Sequence, residues 1–112
     1  MTRFLISFDD GTMNIPEVDM PAVGQAAHAV LRDAKAAGVW VHGGGLHTQQ
    51  ATVVAVDGSI SPGPFPEIKA VLGGFAIVDV DSREEAVEWA KRWAVACRCP
   101  QEVREIMDDP EV

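Results

Sequence analysis

The stretch GGFAIVDVDSREEAVEWA, from Gly73 to Ala90, changes its hydrophobic period halfway along. Phe75 to Val80 is rich in strand-forming residues, and the paired Gly73 and Gly74 before it mark the end of an irregular segment. Ser82, with Glu85 three residues on, forms a capping box, so a helix is predicted to open there. Its apolar stripe reads Ala86, Ala90, Trp93, Ala94 and Cys97. Glu84, Glu88, Lys91 and Arg92 fill the opposite face, with Glu88 and Arg92 in the i to i+4 order that favours an ion pair. A helix with one apolar stripe needs an apolar surface to lie on, and the strand that feeds it points to a sheet.

Working outward, Met1 to Phe8 alternates as a first strand, with Phe4, Ile6 and Phe8 on one face and Arg3, Leu5 and Ser7 on the other. It ends at the turn residues Asp9, Asp10 and Gly11, and the apolar groups on both faces make it a central strand. Asp19 is read as the N-cap of a first helix, with Pro21 in its first turn. Val23, Ala27, Val30, Leu31 and Ala34 recur at helical spacing until Gly38 ends it. Val39 to His42 resumes strand character, Gly43 to Gly45 interrupts it, and Ala51 to Val56 forms a strand that closes on the hairpin signal Asp57-Gly58. Ile60 begins a short return strand. Pro62, Gly63, Pro64 and Pro66 enforce an irregular loop, followed by a helical turn over Glu67 to Leu72. Cys99-Pro100 ends the second helix, and Val103 to Met107 is a last strand before the acidic tail Asp108 to Val112.

Two helices separated by strands predict an α+β fold: a ferredoxin-like antiparallel sheet with both helices on one face, in a single domain spanning 1–112. The strands carry apolar residues on both sides while the helices cover only one, which predicts a homodimer whose open faces pack into an α/β barrel.

Composition excludes several classes. Nine Lys plus Arg stand against seventeen Asp plus Glu, a formal charge of -8, and that field repels nucleic-acid phosphates and anionic lipid. Asp9 and Asp10 cut the apolar run at Phe4 to Phe8 short of a signal peptide, and glycine, histidine and glutamine interrupt the uncharged stretch from Ala36 to Val56. Cys97 and Cys99 are too close in sequence for a disulfide that closes a useful loop. No membrane partner and a cytoplasmic location are expected.

Histidine is the natural general base near neutral pH. His42 ends a strand and His47 follows the glycine run; a bend there would bring them together, or set either beside Asp9. His28 falls at the margin of the first helix's stripe and reads as a rim residue. A metal held by His42, His47 and a carboxylate lacks diagnostic spacing, and neither metal nor cofactor is expected. Gly43 to Gly45 precedes no helix that would receive a phosphate, so it reads as a bulge or a place of close approach by backbone or ligand. Rigid prolines around Phe65 hold a ring that either floors an apolar pocket or plugs the core, next to Glu67 and Lys69, an acid and base suited to an anionic ligand. Arg104 is a second cation for a carboxylate or phenolate. Trp40, Trp89 and Trp93 read as core or dimer anchors, and Cys97 as a buried thiol.

The run from Ser61 to Phe75, with Asp57-Gly58 before it and Ala86 to Ala90 after, resembles the YCII-related proteins of the DGPF type over nearly the whole chain. Gly63, Pro64 and Phe65 match the last three letters of the motif, Glu67 and Lys69 its following acid and base, and Gly73, Gly74 and Phe75 its paired glycines and aromatic; Pro62 replaces the motif aspartate. The resemblance implies a ferredoxin-like dimeric α/β barrel. It also implies two functional directions. A related branch includes a dehydrochlorinase of a chlorinated hydroxyquinol with a suggested histidine and aspartate pair, and His28 lies near that histidine's place. DGPF-type genes are associated with alternative sigma factors, which implies a regulatory protein partner. Two expectations follow: an enzyme performing proton abstraction or elimination on a small cyclic or phenolic metabolite, or a non-enzymatic ligand-sensing or protein-binding module. For the enzyme, His47 or His42 is the expected base, Asp9 its orienting partner, and Lys69 or Arg104 the anion stabiliser.

Overall fold

The structure, a computed structural model, describes residues 1–47, 51–62 and 72–112. Its elements in chain order are β1 (Thr2–Asp9), α1 (Met20–Ala36), β2 (Trp40–Gly45), β3 (Thr52–Val54), β4 (Ile60–Pro62), β5 (Leu72–Val80), α2 (Arg83–Cys97) and β6 (Glu102–Glu105), with short 3-10 turns at Asp10–Thr12 and Glu17–Asp19. The main sheet has the order β2-β5-β1-β6, antiparallel throughout, and β3 pairs with β4 as a separate hairpin. This is the α+β, ferredoxin-like arrangement expected from the alternation of periods, with β1 and β5 central. The expected strand over Ala51 to Val56 is shorter, Thr52–Val54, and Pro62 closes β4 instead of beginning the loop.

One face of the sheet carries Phe4, Ile6, Ala76, Val78 and Val80, all buried in a single cluster with Val30 and Ala34 of α1 and Ala86, Ala90 and Trp93 of α2. Alternation along β1 and β5 therefore decides the core: in the β1 and β5 register Phe4 faces Val78 and Ile6 faces Ala76, both pairs pointing to the helices. The stripe of α2 differs by one position from its expected form, since Ala96 is buried where Ala94 is half-buried. Trp93 lies between Trp40 and Trp89, with ring centroids 6.0 and 6.1 Å away, so the three tryptophans tie β2 to α2.

The helix ends follow the sequence in part. Glu85 N–H donates to Ser82 Oγ at 3.2 Å, as a capping box requires, while Glu85 Oε2 accepts from the N–H of Asp81, one residue earlier than Ser82. Gly38 has φ +76 and takes the left-handed position that ends α1. Asp19 occupies the N-terminal boundary of α1 without a side-chain cap; its carboxylate accepts from Arg98 Nη1 at 2.9 Å and joins the start of α1 to the end of α2. The expected Glu88 to Arg92 pair does not form. Glu88 binds Lys91 at 2.9 Å, and Arg92 crosses to Asp33 on α1. An interhelical partner displaced the local one because α1 and α2 pack side by side.

Candidate functional site

The sheet face away from the helices is built of cross-strand rungs. Leu5 faces Ile77 on one side and Arg104 on the other, and Ile77 faces His42, so Arg104, Leu5, Ile77 and His42 form one rung across all four strands. With strands about 4.8 Å apart, its two polar ends stand roughly 14 Å apart at the backbone. The next rung runs Glu102, Ser7, Phe75, Gly44. His42 owes its place to a bulge. The register between β2 and β5 shifts between Trp40 and His42, so Trp40 points to the helices while His42 turns to the open face, where its ring meets Phe75 edge-on at 6.3 Å.

At the end of β1 lies a cleft of about 330 Å³, lined by Ser7, Phe8, Asp9, Thr12, Leu72, Pro100, Gln101 and Glu102. Its size is that of a small-ligand site. Two carboxylates, two hydroxyls and one amide converge on apolar walls from Phe8, Leu72 and Pro100. Asp9 ends β1 and begins the turn below it: its Oδ1 accepts from Gly11 N–H at 2.8 Å, while its carbonyl accepts from the Thr12 hydroxyl at 2.7 Å. Ser7 is the buried polar residue of the described core, 7% exposed. Phe8 reaches the cleft because Gly73 and Gly74 leave room for its ring: a Cβ at either position would meet it at 2.5 or 2.7 Å.

His47 lies at the same end of the sheet. The preceding N–H, that of Leu46, donates to Gly73 O at 2.9 Å, while Asp9 faces Leu72 on the other side of β5. Asp9 and His47 thus flank the start of β5 from its two sides, with about 10 Å between β1 and β2. His42 stands apart, most of the strand's length away on the rung with Arg104. The expected meeting of His42, His47 and Asp9 does not occur: Asp9 and His47 stand on opposite sides of β5, and His42 lies on an edge strand with Arg104 at the far end of its rung. His28 is exposed on α1. Phe65, Glu67 and Lys69 lie outside the described residues, as does the motif Gly63 to Phe65. Among the described residues no three His, Cys, Asp or Glu side chains are grouped to hold a metal, and no helix is long and apolar enough to cross a membrane.

Ser7, Thr12, Gln101 and Glu102 were not singled out by sequence. The available signal was Ser7, a hydroxyl within an alternating apolar strand. Behind the cleft, Gln101 Nε2 donates to Cys99 Sγ at 3.5 Å. Burial pushes the Cys99 thiol up, against hydrogen bonds from Thr12 and Gln101, and burial followed by repulsion from Cys99 does the same for Cys97. Both are protonated, buried side chains at neutral pH.

The fold and the cleft define a small ferredoxin-like α+β protein with a ligand-sized site at the strand ends. The chain belongs to the YCII-related domain family, whose pattern matches residues 14–108. Among solved structures it is similar to the 5-chloro-2-hydroxyhydroquinone dehydrochlorinase of Burkholderia phenoliruptrix AC1100, solved in complex with 2,5-dihydroxybenzoquinone. That match has a TM-score of 0.53 and 17% identity, and covers 97% of each chain. At that identity the likeness establishes a shared fold. No curated protein matches.

Proposed function

We propose that this protein is an enzyme that acts on a small cyclic or phenolic metabolite by proton abstraction or elimination, without a cofactor, as a homodimer joined through the open sheet faces. The observation that carries the reading is the Ser7 and Asp9 cleft with His47 at the same end of the sheet. Further support comes from the family and from the dehydrochlorinase that shares the fold.

The cleft chemistry suits hydroxylated rings. Asp9 and Glu102 are acceptors for phenolic O–H groups, while Phe8 and Leu72 cover a ring face. In this reading His47 is the general base and Asp9 orients the imidazole or the substrate hydroxyl. An elimination moves the proton to the imidazole as the leaving group departs with its electron pair. Arg104 or Lys69 then balances the anion that develops. Phe65 and Glu67 belong to the ligand-binding set, and His42 is the alternative base. Leu5, Phe75 and Ile77, half-buried on the open face, are the apolar surface that a second copy would cover.

The test is a thermal-shift screen against quinols, phenolic acids and short carboxylates, followed by a turnover assay on any hit. A ligand at about 100 times its Kd stabilises the fold by roughly 2.7 kcal/mol. A hit whose turnover is lost in His47→Ala and reduced in Asp9→Asn, with the melting temperature kept, supports the reading. Unchanged turnover in His47→Ala removes that base. A flat screen favours the sigma-factor-type protein partner instead. Light scattering that finds a monomer at micromolar concentration overturns the dimer.

A further inference from the structure

Most polar hydrogens around the cleft at the end of β1 are already committed. The Thr12 hydroxyl donates to Asp9 O at 2.7 Å, and Gln101 Nε2 donates to Cys99 Sγ. Ser7 differs. It lines the cleft and is 7% exposed, and among the described residues its hydroxyl takes part in no hydrogen bond. Nor is that hydroxyl sealed away: the side-chain oxygen shut off without a partner among the described residues is Asp79 Oδ1. Ser7 Oγ therefore keeps an opening, and the cleft that it lines is where that opening leads. A buried hydroxyl left unpaired costs free energy until a partner reaches it. Its burial arises within one chain, at the strand end and beyond the Leu5 and Ile77 rung that a second copy would cover.

Glu102 stands directly opposite Ser7 in the β1 and β6 register, on the same side of the sheet and also in the cleft lining. Asp9 Oδ1 is held by Gly11 N–H, whereas the Glu102 carboxylate has no hydrogen-bond partner among the described residues. Cβ atoms of opposed residues lie about 5 Å apart, a span that one oxygen atom can bridge. Resting on the reading that the cleft takes a phenolic metabolite, we infer that Ser7 is the residue that selects and fixes its hydroxyl: Ser7 Oγ–H donates to the phenolic oxygen while the phenolic O–H donates to Glu102. A hydroxyl both accepts and donates, as this pair requires; an ether or a halide has no proton for Glu102, and an ammonium has no lone pair for Ser7. A ring without the hydroxyl leaves Ser7 unpaired in a nearly closed site, which is the physical source of the discrimination.

Phenol is the probe, with fluorobenzene as a counterpart of similar size that has no O–H. The measurement is an amide NMR titration of the full chain with each. Saturable phenol shifts centred on Ser7, Asp9 and Glu102 are expected. Ser7→Ala should weaken phenol about fivefold, the size of one lost hydrogen bond, and leave fluorobenzene unchanged. Glu102 is exposed, so Glu102→Ala keeps the fold and should weaken phenol severalfold even where Ser7→Ala fails to fold. Equal weakening of both probes by Ser7→Ala marks a packing role and overturns the inference. Cleft shifts whose affinity neither variant changes overturn it too, while leaving the proposed enzyme in place. Phenol shifts absent from the cleft, including the case where a second copy of the chain fills it, overturn both.

Discussion

The carbonyl oxygen of Phe75 occupies the space that a side chain on Gly43 would need. A Cβ at that position would also stand 2.8 Å from Ala76 Cα and 2.8 Å from the Trp40 ring. Backbone cannot move aside as a flexible side chain can, so Gly43→Ala is expected to cost about 2 to 3 kcal/mol. Gly44, one residue on, has open space around the same point, and Gly44→Ala should change stability by less than about 0.5 kcal/mol. Urea midpoints of the two variants check the contrast, and an unchanged midpoint for Gly43→Ala would exclude this packing.

The α1 and α2 pair is joined at the surface by Arg92, which binds Asp33 and lies with its guanidinium 5.0 Å from the Trp89 ring centroid. Both partners of the ion pair are about half exposed, which limits their coupling to about 0.5 kcal/mol and makes it sensitive to salt. A double-mutant cycle on Arg92→Ala and Asp33→Ala should return that coupling. The same cycle between Glu88 and Arg92 should return almost none, because Glu88 is bound to Lys91.

Ser82 and Asp19 both precede helices, but only Ser82 caps with its side chain. Ser82→Ala should therefore lose about 1 kcal/mol. Asp19→Asn should lose less, since it weakens an exposed pair with Arg98 and removes no cap. Thermal melts of the two variants give the order.

Burial raises the pKa of Cys97 and Cys99 in the folded state. The fold thus holds their protons more tightly than the unfolded chain does. Stability is complete below the ordinary thiol value of about 8.5 and falls as pH rises through and above it. Denaturation midpoints from pH 7 to 10 should decline at the alkaline end, and Cys97→Ala should make the decline shallower. A thiol reagent should react slowly with the native protein and rapidly in urea.

Much of the fold was legible because each element carries its own period and its own stop signals. The alternation that puts Phe4 and Ile6 on one face, the Ser82 cap and the Gly38 terminus all follow from local chemistry. What escaped the sequence depends on partners distant in the chain. The bulge at Val41, which turns His42 away from Trp40, exists only against β5. The crossing of Arg92 to Asp33 exists only once two helices lie together. For the site, Asp9 and the histidines were readable as residue types at strand ends, whereas Ser7, Gln101 and Glu102 converge through pairing of β1 with β6, which no spacing rule in the sequence encodes.

The strand order β2-β5-β1-β6 has a consequence for how the chain is made. β1 leaves the ribosome first, yet both of its neighbours come late, the nearer beginning at Leu72. At roughly 5 to 20 residues per second, β1 waits several seconds with both edges and an apolar face unpaired. Its company during that interval is α1, the first element synthesised that can shelter Phe4 and Ile6. The central strand of the finished sheet is thus the nascent chain's most exposed liability, and synthesis that stalls before β5 should yield an aggregating fragment, with no partly built domain to protect it.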